Sequence, residues 1–192
     1  MRDARSKYKT DSDADKTGRQ NAAQLAADQL IMSLSVLANN GAETVLIANL
    51  PDLGRTPEAV FLGLQYASTD ATNRFNALIP TVFATGLALG LDMRFVDFAA
   101  VANGVFLDAT NNGGATFGIT NVTSPCGAFL PGGGPKCSLS AFSDALHPTT
   151  RVHQLLGEAA LASVTAVPEP ETYALFALGL AALAWRARKR VS

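Results

Sequence analysis

The stretch FSDALHPTTRVHQLLGEAALASV, residues 142–164, places an aspartate and a histidine three positions apart, Asp144 and His147, just ahead of a segment with helical periodicity. A neutral imidazole accepts a proton from a hydroxyl only when its other ring nitrogen is held as a donor. A neighbouring carboxylate does this, and it stabilises the imidazolium that forms. The pair has the composition of a general base, His147, and the acid that orients it, Asp144. The same spacing also suits a surface turn capping a helix, so catalysis would need a nucleophile and oxyanion donors as well. No serine of the chain lies in a Gly-Asp-Ser or Gly-x-Ser-x-Gly context.

Other groupings carry less chemistry. PGGGPK, residues 131–136, lacks the spacing of a phosphate-binding loop, and each proline removes an amide donor. His153 lies six positions after His147, so the two would face different ways on a helix and no zinc set forms with Asp144. Arg55, in PDLGRTP, would either line a pocket or pair with a loop carboxylate. No cofactor is expected. Fifteen basic and sixteen acidic residues leave a formal net charge of -1, which offers no field for nucleic acid as a partner. The only two cysteines, Cys126 and Cys137, flank a Gly/Pro-rich loop, CGAFLPGGGPKC. They form either a short disulfide in an oxidising compartment or two free thiols in a reducing one.

The elements that must position Asp144 and His147 alternate. Residues 20–39 put Ala23, Ala26, Ala27, Leu30, Leu34 and Leu37 on one helical face, with Asn40 and Gly41 as a stop. ETVLIANL, 43–50, is an apolar run of the kind buried on both faces of a parallel sheet, ended by Pro51. Residues 71–90 form a helical stripe through Phe75, Leu78, Ile79, Val82, Phe83 and Leu87, and MRFVDF, 93–98, is a second strand. Residues 103–138 read as loop. A last helix starts near Pro148 and aligns Val152, Leu155, Leu156, Ala159 and Ser163. Helix and strand in alternation predict an α/β fold with parallel strands. Two strands are few for such a sheet, so an N-terminal part of the domain is expected ahead of Met1.

At the C-terminus, an apolar run from Tyr173 to Trp185 precedes Arg186, Arg188, Lys189 and Arg190. Thirteen residues at about 1.5 Å each reach about 20 Å, short of a hydrocarbon core of about 30 Å. The basic stop and flanking aromatics favour a membrane segment over 173–185 rather than a buried terminal helix. VPEP, followed by this run and RARKR, is similar to the PEP-CTERM sorting signal of Gram-negative bacteria. That resemblance implies Pro168, Glu169 and Pro170 as the motif read by an exosortase, tethering to the inner membrane, and export to the envelope or exterior after processing. Export calls for an apolar leader, which the polar stretch MRDARSKYKTDSDADKTGRQ does not supply, so either polypeptide precedes Met1 or the tail is not a sorting signal.

The block around Asp144 and His147 resembles the last motif, Asp-x-x-His-Pro, of the GDSL or SGNH ester hydrolases. VLIANLPDLGRTPEA, 45–59, resembles the strand and loop after the third block of secreted and autotransporter-type members. The helix and strand of 73–101 and the FGITNVTSPC loop with its partner Cys137 fit the same subgroup. The resemblance spans roughly residues 20–165 and departs at Ser143, where many relatives carry tryptophan. It implies a three-layer α/β/α, flavodoxin-like SGNH fold, incomplete at its N-terminal strands, with a C-terminal membrane helix added. The expected organisation is a polar segment 1–19, the C-terminal part of a hydrolase domain 20–166, and the sorting signal 167–192. The implied activity is cleavage of an ester or lipid substrate, with His147 as base and Asp144 as its orienting acid. The family's Gly-Asp-Ser nucleophile block and its oxyanion donors are not found here, so the chain by itself is expected to be nearly inactive. A second expectation is a surface-sorted protein that keeps the fold for binding and does no catalysis.

Overall fold

In the computed structural model, residues 1–126 and 134–165, together with Leu178 and Leu180, are described. The chain opens with helix α1 (Arg2–Lys7) and the long α2 (Asp13–Asn39). Helix α2 starts seven residues ahead of the expected position. Ser12 Oγ accepts the Asp15 N–H at 3.2 Å as its cap, and Arg19 is fully buried within it. The Arg19 guanidinium meets the Tyr8 and Thr10 carbonyls at 2.7 and 2.9 Å and the Asp70 carboxylate. A polar sequence is therefore ordered here by charge-assisted bonds rather than by an apolar stripe. Helix α2 buries Ala23, Ala27 and Leu34 as expected, while Leu37 stays exposed. It ends at Asn40 and Gly41, whose φ of +84° suits glycine.

Strand β1 (Thr44–Ala48) and strand β2 (Asp92–Val96) pair in parallel, in register from Thr44↔Asp92 to Ala48↔Val96. The result is a mixed α/β, helix-rich fold around a small parallel sheet. Burial on both faces of β1 is not seen. Ile47 is buried, but Leu46, on the opposite face, is 37% exposed.

Between the strands run a 3-10 turn (Leu53–Arg55), α3 (Pro57–Phe61), α4 (Gln65–Asn76) and α5 (Ile79–Ala88). The single helix expected over 71–90 is thus two. Pro80 has no N–H to give a continuous helix but suits a first turn, so the chain breaks at Ala77–Leu78 and restarts. The stripe survives in Phe75, Ile79 and Val82, which join Ala23, Ala27, Leu34, Ile47 and Met93 in one core, whereas Leu87 is exposed.

After β2, α6 (Phe98–Asn111) takes the first part, 103–111, of the stretch 103–138 that reads as loop in sequence. Asp97 caps it by accepting the Ala100 N–H at 2.8 Å, and the glycine- and asparagine-rich stretch begins only where the helix ends. Helix α7 (Thr150–Thr165) follows Pro148 and contacts β2 and α6. Its Val152 and Leu155 join Val105, Ile119, Val122 and Ala141 in a second core. None of the described helices is long and apolar enough to cross a membrane, and the segment 173–185 lies outside the described residues.

Candidate active site

The segment before α7 closes on itself. Phe142 and Pro148 bridge antiparallel, the Ser143 N–H donates to the His147 carbonyl at 2.9 Å, and the Thr149 N–H donates to the Ala141 carbonyl at 2.9 Å. Thr149 is itself anchored, its hydroxyl donating to the Ser140 carbonyl at 2.7 Å. Asp144 and His147 stand on this narrow loop at the mouth of α7.

Asp144 organises the loop with both oxygens. Its Oδ1 accepts the backbone N–H groups of Leu146 at 2.8 Å and His147 at 2.7 Å, and its Oδ2 lies 2.7 Å from His147 Nδ1. These contacts all favour the carboxylate. The His147 amide, the Leu146 amide and the His147 ring, in that order, hold the Asp144 pKa down at about 2. Both side chains face solvent, His147 at 69% and Asp144 at 58% exposure. With Nδ1 engaged, Nε2 is the free nitrogen, and no described hydroxyl is hydrogen-bonded to it.

Beside the loop lies a cavity of about 480 Å³ with an almost wholly apolar wall. Leu146 and Pro148 come from the loop, Phe142 from its start, Phe106 and Val105 from α6, and Val152 and Leu156 from α7. Arg55 sits on the rim. Its guanidinium lies 5.1 Å from the Phe106 ring centre, donates to Asn103 Oδ1 at 3.0 Å and is 3.7 Å from Asp52. Both fates considered for Arg55, pocket lining and loop pairing, are thus realised together. Volume and lining suit one small apolar ligand with a polar end at the rim.

A further cluster ties this region to the N-terminus. The Glu58 N–H donates to the Ala145 carbonyl at 2.8 Å, and the Glu58 carboxylate pairs with Arg2 and Arg5. Arg5, 1% exposed, also donates to Ser68 Oγ at 3.1 Å and the Leu53 carbonyl at 3.3 Å. In the sequence these arginines fall in the polar segment 1–19, with no partner in view. The one available signal was Thr56-Pro57-Glu58, a cap, a first-turn proline and a first-turn acid, which announces a helix start.

Cys126 and Cys137 are disulfide-bonded, with Cα atoms 4.9 Å apart. The Cys126 N–H donates to the Phe142 carbonyl at 2.9 Å, so the bridge abuts the start of the Asp144–His147 loop. His153 is exposed on α7, and among the described residues no group of histidine, cysteine or acidic side chains is arranged to hold a metal. Pro168, Glu169 and Pro170 lie outside the described residues.

No curated protein matches the sequence. Two family models do. The PEP-CTERM protein-sorting motif matches residues 166–189, which marks the chain as an exported protein anchored at the membrane before processing and recognised by an exosortase. The GDSL-like lipase/acylhydrolase model matches residues 3–160, beginning ahead of the stretch that the resemblance had covered, and the chain therefore belongs to the GDSL-like lipase/acylhydrolase family.

Proposed function

We propose that the protein is an exported carboxylic ester hydrolase of three-layer α/β/α architecture, in which His147 is the general base and Asp144 its orienting acid. The observation that carries this is the 2.7 Å contact between His147 Nδ1 and Asp144 Oδ2, which leaves Nε2 free to face an alcohol. In the first half-reaction His147 Nε2 takes the proton of a serine hydroxyl as its oxygen attacks the ester carbonyl. The imidazolium then returns that proton to the leaving alcohol, and an acyl-enzyme remains. Water repeats the sequence and releases the acid. Asp144 fixes the Nδ1–H tautomer and stabilises the imidazolium without itself taking a proton, in keeping with its low pKa. The apolar cavity beside the loop receives the acyl chain.

The 192 residues contain no Gly-Asp-Ser block, so the nucleophile and oxyanion donors are assigned to polypeptide supplied to this chain rather than to one of its own serines. A base without those partners contributes little, since the parts act as a unit. The sorting motif over 166–189 supports activity at the cell envelope, and we assign it a membrane segment over 173–185 with Pro168, Glu169 and Pro170 as the processing motif.

The test compares hydrolysis of p-nitrophenyl acyl esters by the 192-residue chain and by the same chain extended upstream along its reading frame. Turnover is expected in the extended protein only, and His147→Ala should abolish it. Turnover at an enzymic rate by the short chain would overturn the external nucleophile. Inertness of the extended protein, or full activity of its His147→Ala variant, would favour a binding protein that keeps the fold.

A further inference from the structure

We infer that Glu58 is a positioning residue for His147, acting through the Ala145 carbonyl. The inference rests on the proposal that His147 is the base. Asp144, Ala145, Leu146 and His147 form the outer turn of an exposed loop. Asp144 supplies all of that turn's internal side-chain bonds, and those tie the loop to itself rather than to the body of the protein. Hydrogen bonds to the body flank it at Phe142 and Thr149, and within the turn, among the described residues, the Glu58 N–H donates to the Ala145 carbonyl at 2.8 Å. That carbonyl shares its peptide plane with the Leu146 N–H, which donates to Asp144 Oδ1, so its direction sets where that donor points.

The placement of the Glu58 N–H depends in turn on several bonds acting together. Thr56 Oγ1 caps α3 by accepting the Ala59 N–H at 3.3 Å, and Pro57 fixes the first turn. The Glu58 carboxylate is held by two guanidinium groups, one at the surface (Arg2) and one buried (Arg5). Arg5 reaches α4 through Ser68 and the 3-10 turn through Leu53, so one carboxylate locks α1, α3 and α4 to a single point. A charged, bidentate arrangement of this kind costs more to hold than an apolar contact of equal size, and it returns a fixed direction. Here that direction ends on the carbonyl beside the acid of the pair. Loss of the Glu58 carboxylate frees the α3 terminus, lets the Ala145 carbonyl turn, and loosens the Asp144–His147 contact.

The chain has only two histidines, so ¹⁵N-detected imidazole spectra of the full chain at alkaline pH give one signal set for His147 and an internal control from His153, assigned with His153→Gln. The wild type is expected to hold His147 as the Nδ1–H tautomer. Glu58→Ala should shift the tautomer ratio roughly fivefold toward Nε2–H, the change that one weakened hydrogen bond produces. Glu58→Gln, which keeps an acceptor for Arg5, should restore most of it, and His153 should not move in either variant. A wild-type His147 tautomer in Glu58→Ala, whether or not the melting temperature falls, overturns the inference. Should Glu58→Ala fail to fold, Arg2→Ala removes the exposed partner alone; a partial shift in the same direction supports the inference, and none overturns it. No ester is turned over in this measurement, so an inactive enzyme with a responsive His147 would sink the function and leave the positioning intact.

Discussion

His147 meets Asp144 twice, through its ring at 2.7 Å to Oδ2 and through its own backbone N–H at 2.7 Å to Oδ1. One carboxylate thereby fixes both the imidazole and the peptide that carries it. A pair three residues apart manages this only when the intervening chain turns tightly, which the Phe142–Pro148 bridge enforces. The imidazole is consequently oriented before any substrate arrives, the condition under which a base contributes to rate rather than to binding.

Asp144→Asn should therefore cost more than a charge. The amide nitrogen would face either a backbone N–H or the ring Nδ1, and the tautomer useful for proton abstraction would lose its support. On the proposed mechanism, kcat of the extended protein should fall by about 10⁴, as when the orienting acid of a triad is neutralised. The same variant gives a pH test. Because the folded pKa of Asp144, about 2, lies below its ordinary 3.8, the carboxylate stabilises the native loop above pH 4, and that contribution is lost as pH falls toward 2. Urea unfolding should show wild type and Asp144→Asn furthest apart at pH 5 and converging near pH 2. A gap that stays constant over that range would mean that the carboxylate is not anchored as described.

Arg19→Ala should destabilise the protein by about 3 kcal/mol, as removing one partner of a buried pair does. The Asp70 pKa is pulled down against the cost of its burial by Arg74 and Arg19 together, so the variant leaves Asp70 with Arg74 alone and strips the Tyr8 and Thr10 carbonyls of their donor. Circular dichroism melting of the full chain checks this. An unchanged midpoint would mean that the first nineteen residues do not belong to the folded body.

That N-terminal segment shows where the sequence was legible and where it was not. Elements whose order comes from apolar periodicity were readable: the alanine and leucine face of α2, both strands, and the Val152–Leu155 face of α7. The contact between Asp144 and His147 was readable too, because it is local and spacing alone nearly determines it. What escaped is held by long-range polar bonds. Arg5 and Arg19 look like solvated charge in sequence, and only the fold supplies Glu58 and Asp70, 53 and 51 residues away. The break before Pro80 was visible but outweighed by a stripe that happens to continue across it. The body of α6 was hidden because Asn103 and Gly104 inside it resemble the glycine- and asparagine-rich loop that follows.

Ala102 lines the cavity from α6 and has room to grow into it, so Ala102→Phe should fill acyl space without touching Asp144 or His147. Titration of the full chain with octanoate and with acetate, followed by NMR, is expected to show octanoate affinity about tenfold weaker in the variant, the cost of roughly two lost methylene burials. Acetate, too short to reach the filled part, should bind alike in both. Equal octanoate affinity in the two proteins would place the apolar chain somewhere other than this cavity.

The disulfide makes its own prediction because of where it is attached. Cys126 donates its backbone N–H to the Phe142 carbonyl, and its partner Cys137 lies eleven residues on, in the turn that leads into Ser140, which is bonded to Thr149. The bridge therefore closes a short loop in the unfolded chain and braces both feet of the Asp144–His147 turn in the folded one. Closing a loop of this size is worth about 3 kcal/mol, and at about 2–4 °C per kcal/mol the double variant Cys126→Ser/Cys137→Ser should melt roughly 6–12 °C lower. Hydrogen exchange separates the two contributions. Loss of unfolded-state constraint alone would raise exchange evenly at the amides that open only on global unfolding, whereas loss of bracing should speed the Leu146 and His147 amides well beyond that common change. If those two amides merely follow the rest of the protein, the bridge stabilises the fold without holding the site.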